Sequence, residues 1–595
     1  MSPVSVPEGR RLRPTDVVII GLGWTGSILA EQLTKAGLDV VAIERGPWRN
    51  TSTDFPTTFI QDELRYAVRL DLFQRPWQDT LTFRNNLSQT ALPIRQFGSF
   101  LPGNGVGGAG VHWNGQTWRF LPTDFVVRSH LEERYGKVAI PSDMTIQDWG
   151  VTYDELEPHY DRFENLCGIS GKAGNLKGKI QPGGNPFEGP RSSEYPTPPM
   201  RQPYAPTLFA EAASAMGYHP FPQPSANLSV AYTNPLGVRL GQCTYCGFCE
   251  RFGCGNYSKA SPQTTLLPVL VRRPNFTART ESEVLRVNLS RDGRRANGVT
   301  YVDSSDNVWE QPAELVLVCA FAFNCVHMLL LSGIGTPYDP VSGTGVVGRN
   351  YAYQTISGAS LLFADKIFNP FIGAGSLGMI MDDFNGDNFD HTNLGFIGGA
   401  SIGTQITNGR PILYRPVPGG TPRWGAAWKS ATRESYQRVM GIGAQGSSYS
   451  HRDAYLDLDP TYKDPHGLPL LRMTFDFHPN DVRMSAYITD RIVEIARSMN
   501  PKQIVAAPRT RPYSVVPYQT THNTGGAIMG RDPKTSVVNR YLQCWDMPNL
   551  FVFGASNFPQ NAGYNPTGTV GALTYWAADA IINRYLRAPG PLVNV

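Results

Sequence analysis

Four cysteines, Cys243, Cys246, Cys249 and Cys254, fall within one short stretch spaced C-x2-C-x2-C-x4-C. Thiolates this dense, among glycine and aromatic residues, suit an iron–sulfur cluster. The pattern is close to the bacterial ferredoxin run, with a longer last gap and no following proline. Zinc more often uses two separated cysteine pairs and ranks second; disulfides rank third. Cys167, Cys319, Cys325 and Cys544 lie in apolar segments and read as buried thiols. A second group with chemical capacity lies near the N-terminus: Gly21, Gly23 and Gly26 in GLGWTG. The first glycine permits a tight turn, the second lets the backbone approach a pyrophosphate, and the third lets helix and strand pack closely.

These residues need particular elements to place them. DVVII at Asp16–Ile20 reads as a buried parallel strand, SILAEQLTKAG has helical spacing, and LDVVAIE reads as a second strand ending at Glu44. Glu44 stands where an acidic side chain holds a ribose hydroxyl. This strand–turn–helix–strand unit predicts dinucleotide binding, and by itself it admits FAD or NAD. From Asn275 to Cys319 the pattern predicts a small antiparallel meander, and Leu315–Leu331 a buried strand followed by a helix. Residues 170–240, rich in proline and glycine, read as an excursion across the surface. Strand–turn–helix patterning returns in NLFVFGAS and NPTGTVGALTYWAADAIINRYL.

With 595 residues the chain is too long for one core, so at least two domains are expected. At 41% hydrophobic and 17% charged it has the composition of a globular protein. The net charge of +4, with no basic tract, makes nucleic acid a poor partner. No apolar stretch reads as a transmembrane helix. MSPVSVPEGRRLRPT lacks the apolar segment of a secretory signal, which alone points to the cytoplasm.

Beyond these local readings, the chain resembles the glucose–methanol–choline (GMC) oxidoreductases over nearly its full length. The likeness rests on the N-terminal glycine fingerprint, GVGGAGVHWNGQTWRF, LLLSGIG at Leu329–Gly335, and the C-terminal pair HNTGGAIMG and NLFVFGASNFPQNAGYNPTGTVGAL. Departures from the family pattern include Ala109 and Gly110 in place of serines, Trp113 in place of Asn, and Gly554 in place of Asp. The resemblance implies an α/β fold, with a Rossmann-like FAD-binding domain interleaved with an α+β substrate-binding domain. The expected FAD-binding segments are 14–50, 95–150, 235–345 and 519–595. Residues 51–94, 151–234 and 346–518 are expected to form the substrate-binding domain and excursions. FAD contacts are expected from Gly21, Gly23, Gly26, Glu44, Gly107, Gly108, His112, Ala555, Asn565 and Thr567.

Oxidising an alcohol by hydride transfer to flavin N5 leaves a hydroxyl proton to be removed, and imidazole suits that task. His522 stands at the family's catalytic histidine, and Asn565 at the second position of its pair. The expected roles are base for His522 and substrate-oxygen orientation for Asn565. The likeness is greatest to bacterial membrane-bound sugar and sugar-acid dehydrogenase large subunits. It implies a histidyl–FAD bond at His112 and a [3Fe-4S] cluster held in the cysteine region, with [4Fe-4S] open. It further implies a small subunit bearing a twin-arginine signal, a multihaem cytochrome c subunit, and residence at the periplasmic face of the inner membrane. An oxygen-reducing oxidase and a lyase using FAD as a scaffold are the competing readings. Arg410, Arg415, Arg423, Trp424 and Trp428 are candidate contacts for a carboxylate or sugar ring.

Overall fold

The computed structural model describes residues 3–55, 72–76, 79–95, 100–405, 412 and 414–594. Its central parallel sheet forms where the sequence is apolar on both strand faces. The strand Thr15–Ile20 is flanked by Val40–Ile43 on one side and by the end of Val308–Val318 on the other. Phe276–Arg279 extends the sheet beyond Val40–Ile43, and Leu550–Val552 joins Val308–Val318, all in parallel register. Val17–Ile20 and Leu315–Val318 are buried, as strands sandwiched between layers must be.

The expected meander is present as Ser282–Leu289, Ala296–Asp303 and Val308–Val318 in antiparallel order. The last of these strands serves both sheets. Its first half pairs antiparallel with Ala296–Asp303, and its second half pairs parallel with Thr15–Ile20. The expected helix after it runs Ala322–Leu331.

One long helix from the expected substrate side belongs to this first core. Tyr153–Cys167 starts at a capping box in which the Thr152 hydroxyl accepts from the Glu155 amide and the Glu155 carboxylate accepts from the Thr152 amide. Such a cap stabilises a helix start by about 0.5–2 kcal/mol. Its apolar stripe, with Leu156, Tyr160, Phe163 and Leu166 buried, packs on the C-terminal helix Thr567–Ala580. The stretch read as a surface excursion is also well buried in part, at Ser170, Phe221, Ser225 and Asn227, because its loops thread between the two cores.

The second core lies under a six-stranded sheet in the order Gln503–Ala507, Thr355–Leu362, Val439–Gly446, Ala400–Gln405, Gly378–Met381 and Phe221–Pro222. Strand alternation puts Met440, Ile442 and Ala444 on one face. There they meet Met484, Ile488 and Ile492 of the amphipathic helix Pro479–Ser498 and Phe209 of the helix Tyr204–Ala215. The opposite face of the sheet looks into the main cavity. No helix among the described residues is long and apolar enough to cross a membrane.

Candidate active site

A cavity of about 690 Å³ runs from the ends of the parallel strands to the inner face of the second sheet. At its nucleotide end the glycine turn meets its steric demands. Gly21 has φ +94°, and a Cβ there would meet the Cys319 carbonyl oxygen at 2.9 Å. A Cβ on Gly26 would lie 2.1 Å from the Gly21 oxygen, so only glycine lets the helix Trp24–Lys35 start this close to the strand. Glu44 is buried, and its carboxylate accepts the amides of Leu22 (3.0 Å) and Gly46 (2.9 Å). It therefore faces the cavity at a fixed position with acceptor capacity to spare.

Gly21, Gly23, Glu44, Gly108, His112, His522, Ala555, Asn565 and Thr567 all line this one cavity. Gly26 and Gly107 act behind it: Gly26 in helix packing, Gly107 by donating to the Leu22 carbonyl at 2.7 Å. Pro566 and Thr567 line the cavity at the start of the helix Thr567–Ala580. The positive end of that helix is thus turned toward any anionic charge developing inside.

His112 is buried, and its Nε2 has no hydrogen-bond partner among the described residues. The Phe73 ring meets it edge-on, with centroids 4.7 Å apart. Burial, with the nearby Lys259 charge, pushes its pKa down to about 3. It is a neutral imidazole with a bare nitrogen in a cavity built at its far end for a dinucleotide, so the residues present fit FAD.

The cysteine loop runs against this segment. The Arg251 amide donates to the His112 carbonyl (2.8 Å), and Glu250 and Arg251 line the cavity. Lys259 is fully buried, and its ammonium donates to the carbonyls of Trp113 (2.5 Å), Cys249 (2.8 Å) and Phe252 (2.7 Å). One cation thereby ties the flavin-facing segment to the cysteine loop. All eight cysteines are free thiols, which removes the disulfide reading. Burial pushes the Cys243 thiol up to about 12 and the Cys249 thiol well above its ordinary value, so a cation beside them would favour the thiolates. The Tyr245 amide points at Cys243 Sγ (3.4 Å), a donor that a thiolate ligand can use. The donor set fits a metal–sulfur centre.

His522 and Asn565 are brought together from loops 43 residues apart, with Asn565 Nδ2 3.0 Å from His522 Nε2. Their orientation is set by a chain of hydrogen bonds. Gln354 Nε2 donates to the carbonyls of Ala562 (2.9 Å) and Tyr564 (3.1 Å), which fixes Oε1 as the atom facing His522. That oxygen lies 2.5 Å from His522 Nδ1, so Nδ1 carries the proton and Nε2 the lone pair. On the other side Trp118 Nε1 donates to Asn565 Oδ1 (3.1 Å), which turns the Asn565 amide nitrogen toward His522. Trp118 is itself stacked on Tyr564, with centroids 4.7 Å apart and planes 11° from parallel. Burial pushes His522 down to about 3 and keeps it neutral. The Asn565 amide donates to the Nε2 lone pair, so an alcohol oxygen that inserts between the two meets the acceptor and the donor it needs as its proton leaves and its oxygen gains negative charge.

Two family models described as GMC oxidoreductase match residues 225–356 and 450–574. The chain is 51% identical to the gluconate 2-dehydrogenase flavoprotein of Pantoea cypripedii, over 99% of this chain and 97% of that protein. This chain belongs to the GMC oxidoreductases. It is 28% identical to the 2-methyl-1,2-propanediol dehydrogenase of Mycolicibacterium austroafricanum, covering 96% of each. It is 26% identical to the fructose dehydrogenase large subunit of Gluconobacter japonicus, covering 96% of this chain and 98% of the other. Among solved structures, pyridoxine 4-oxidase from Mesorbium loti superposes with a TM-score of 0.58 at 17% identity, covering 97% of this chain and all of that one. At that identity the likeness concerns fold, and it agrees with the α/β, two-part GMC architecture described above.

One group of expected contacts is corrected. Arg415, Arg423, Trp424 and Trp428 do not line the cavity, and Arg410 lies outside the described residues. Trp424 is 83% exposed, and in the helix Gly425–Ser435 only Ser435 is buried. On that side the cavity is lined instead by Ser401, Gly403, Gln405, Gly441, Gly443 and Gln445 of the second sheet. Sequence reasoning passed over Gln354, Trp118 and Lys259. Trp118 and its neighbours lay inside the flavin-facing motif, whereas nothing local marks Gln354.

Proposed function

We propose that this chain is the FAD-bearing subunit of a dehydrogenase that oxidises a hydroxyl of a sugar or sugar acid, gluconate foremost. The hydrogen-bonded chain Gln354–His522–Asn565–Trp118 carries this reading, because it presents a fixed acceptor and a fixed donor to one alcohol oxygen. The 51% identity to a gluconate 2-dehydrogenase flavoprotein supports the substrate class. FAD bound in the cavity would supply the acceptor for the hydride. His522 Nε2 takes the hydroxyl proton, and Gln354 holds the ring so that this nitrogen stays the acceptor. Asn565 donates to the same oxygen and holds it while the C–O bond shortens.

His112 is proposed to carry the flavin covalently through its unpartnered Nε2. Cys243, Cys246, Cys249 and Cys254 are proposed to hold an iron–sulfur cluster, [3Fe-4S] or [4Fe-4S], that supplies a one-electron exit toward a cytochrome c subunit and quinone. In this reading a small subunit with a twin-arginine signal accompanies the chain to the periplasmic face of the inner membrane. An oxidase would need no such exit.

The test is anaerobic mixing of the holoenzyme with gluconate, 2-ketogluconate, fructose, glucose, sorbitol and glucosides while flavin absorbance is followed. Bleaching by one of these, without hydrogen peroxide when air is admitted, supports the reading. Bleaching followed by stoichiometric peroxide refutes it in favour of an oxidase. Unchanged flavin with every compound refutes the dehydrogenase itself. Flavin colour that stays with acid-precipitated protein supports the His112 bond, and an EPR signal from the oxidised protein supports [3Fe-4S].

A further inference from the structure

The second sheet presents an unusual surface to the cavity. Strand alternation turns Ser401, Gly403 and Gln405 inward from one strand and Gly441, Gly443 and Gln445 from its neighbour. Cross-strand register sets Ser401 beside Gln445 and Gly403 beside Gly443, and places Gly358 of the next strand beside Gly443. The result is a wall of bare backbone with an amide at each end. A Cβ on Gly441 or Gly443 would come no nearer than 3.8 Å to any neighbour outside its own strand, so packing does not demand glycine there. The open space does.

The two end amides are joined by a third from the flavin-facing segment. Gln445 Nε2 donates to Gln116 Oε1 (3.2 Å), and Gln116 Nε2 donates to Gln405 Oε1 (2.8 Å). Every amide in the row therefore points the same way, with an acceptor left over at the Gln445 end. That acceptor, Gln445 Oε1, is buried and has no hydrogen-bond partner among the described residues. A buried carbonyl without a donor is unfavourable, and a ligand hydroxyl would satisfy it. Gln445 also stands beside the catalytic loop. Ser401, its cross-strand partner, donates to the Gly563 carbonyl (3.0 Å), two residues before Asn565.

We infer that the amide row Gln405–Gln116–Gln445, laid across the glycine wall, is the subsite that reads the hydroxyl chain of a polyhydroxylated substrate. The wall gives an extended carbon chain room to lie flat. Gln445 Oε1 accepts from a hydroxyl close to the one being oxidised, and the row's fixed direction requires a donor there rather than an acceptor. A carboxylate or carbonyl at that position is disfavoured; a secondary alcohol is favoured. The inference rests on the dehydrogenase reading and names how that site selects its substrate.

The test compares wild-type holoenzyme with Gln445→Met, which keeps the volume and removes the amide, using gluconate, its monodeoxy analogues and sorbitol. Half-saturation is measured twice, from anaerobic flavin bleaching and from the shift in flavin absorption on binding. Flavin content and melting temperature report folding, and Gln405→Met supplies a second variant should Gln445→Met fold poorly. Gln445→Met should raise half-saturation roughly three- to tenfold, as loss of one neutral hydrogen bond does, with the limiting rate nearly unchanged. One deoxy analogue should be discriminated against by wild type and no longer by Gln445→Met. Equal half-saturation for both proteins, or a deoxy penalty that survives in both variants, overturns the amide row. Wild-type flavin that is shifted by these compounds but never bleached counts against the dehydrogenase reading, and the binding comparison still decides the row.

Discussion

Replacing Gln354 by Leu should disable His522 without touching it. Among the described residues Gln354 Oε1 is the acceptor for His522 Nδ1–H, and its orientation is locked by two backbone carbonyls. In Gln354→Leu the Nδ1–H would sit buried and unsatisfied, which costs about 1–3 kcal/mol. The imidazole escapes that cost by moving its proton to Nε2, where Asn565 and the substrate need a lone pair. At about 1.4 kcal/mol per factor of ten, the productive tautomer falls roughly 5- to 150-fold in population. The rate of flavin bleaching at saturating substrate should fall by the same factor.

The assay is anaerobic stopped-flow bleaching, with the pH profile and substrate-deuterium isotope effect measured alongside. A tautomer exchanges no proton with solvent overall, so raising the pH should not restore the rate. Gln354→Glu separates the cause, because its carboxylate still accepts from Nδ1–H. That variant should keep most of the rate while its acid limb moves upward, since a negative charge beside the ring favours imidazolium. A Gln354→Leu protein that bleaches within twofold of wild type, with flavin fully bound, would refute the proton placement. So would a Gln354→Glu protein as slow as Gln354→Leu.

Four other outcomes are expected. His522→Asn should slow bleaching by about 10²- to 10⁴-fold with flavin retained, the range for loss of a positioned base. Burial lowers His522 to about 3, so its neutral form is complete throughout pH 5–8 and kcat/KM should show no His522 acid limb near 6.5; a limb there that disappears only when His522 is replaced contradicts the burial argument. Burial also raises Asp382 to about 7, from an ordinary carboxylate value of 3.8. The folded state thus holds a proton that the unfolded chain has lost, and stability contributed by this group declines as pH rises from about 4 to 7. Asp382→Asn should flatten that part of the melting-temperature profile, measured from pH 4.5 to 8; an unchanged slope would show that Asp382 is ionised in the fold. Finally, Gly443→Ala should fold normally, since a Cβ there meets nothing closer than 3.9 Å outside its own strand, yet raise half-saturation for hexonates more than for small diols. An equal effect on large and small alcohols would mean the wall does not face the substrate.

Much of the fold was legible because the parallel strands are buried on both faces and so cannot tolerate polar residues. Val17–Ile20 and Leu315–Val318 announce themselves for that reason. Gly21 and Gly26 were legible because a side chain at either would collide with backbone. His522 and Asn565 were legible only through their motifs, since a lone histidine or asparagine carries no local mark. The partner of the helix Tyr153–Cys167 was not legible, because an amphipathic stripe says that a face is buried but not against what.

The far wall of the cavity was hidden in the sequence for a different reason. Arg415, Arg423, Trp424 and Trp428 were chosen for the strength of the contacts such side chains can make. The cavity wall is instead made by glycines that contribute no side chain and by glutamines whose hydrogen bonds span 289 and 329 residues of sequence. Strong side chains are visible in a sequence because their chemistry is intrinsic. An amide row has no chemistry until strand register and a distant loop align its members, and a glycine wall is defined by what is left open. A site that must distinguish one hydroxyl from its neighbours gains selectivity from fixed direction, because a donor and an acceptor differ by whether a buried partner is satisfied. Arginine would bind a carboxylate more strongly, but it offers only donors and cannot make that distinction.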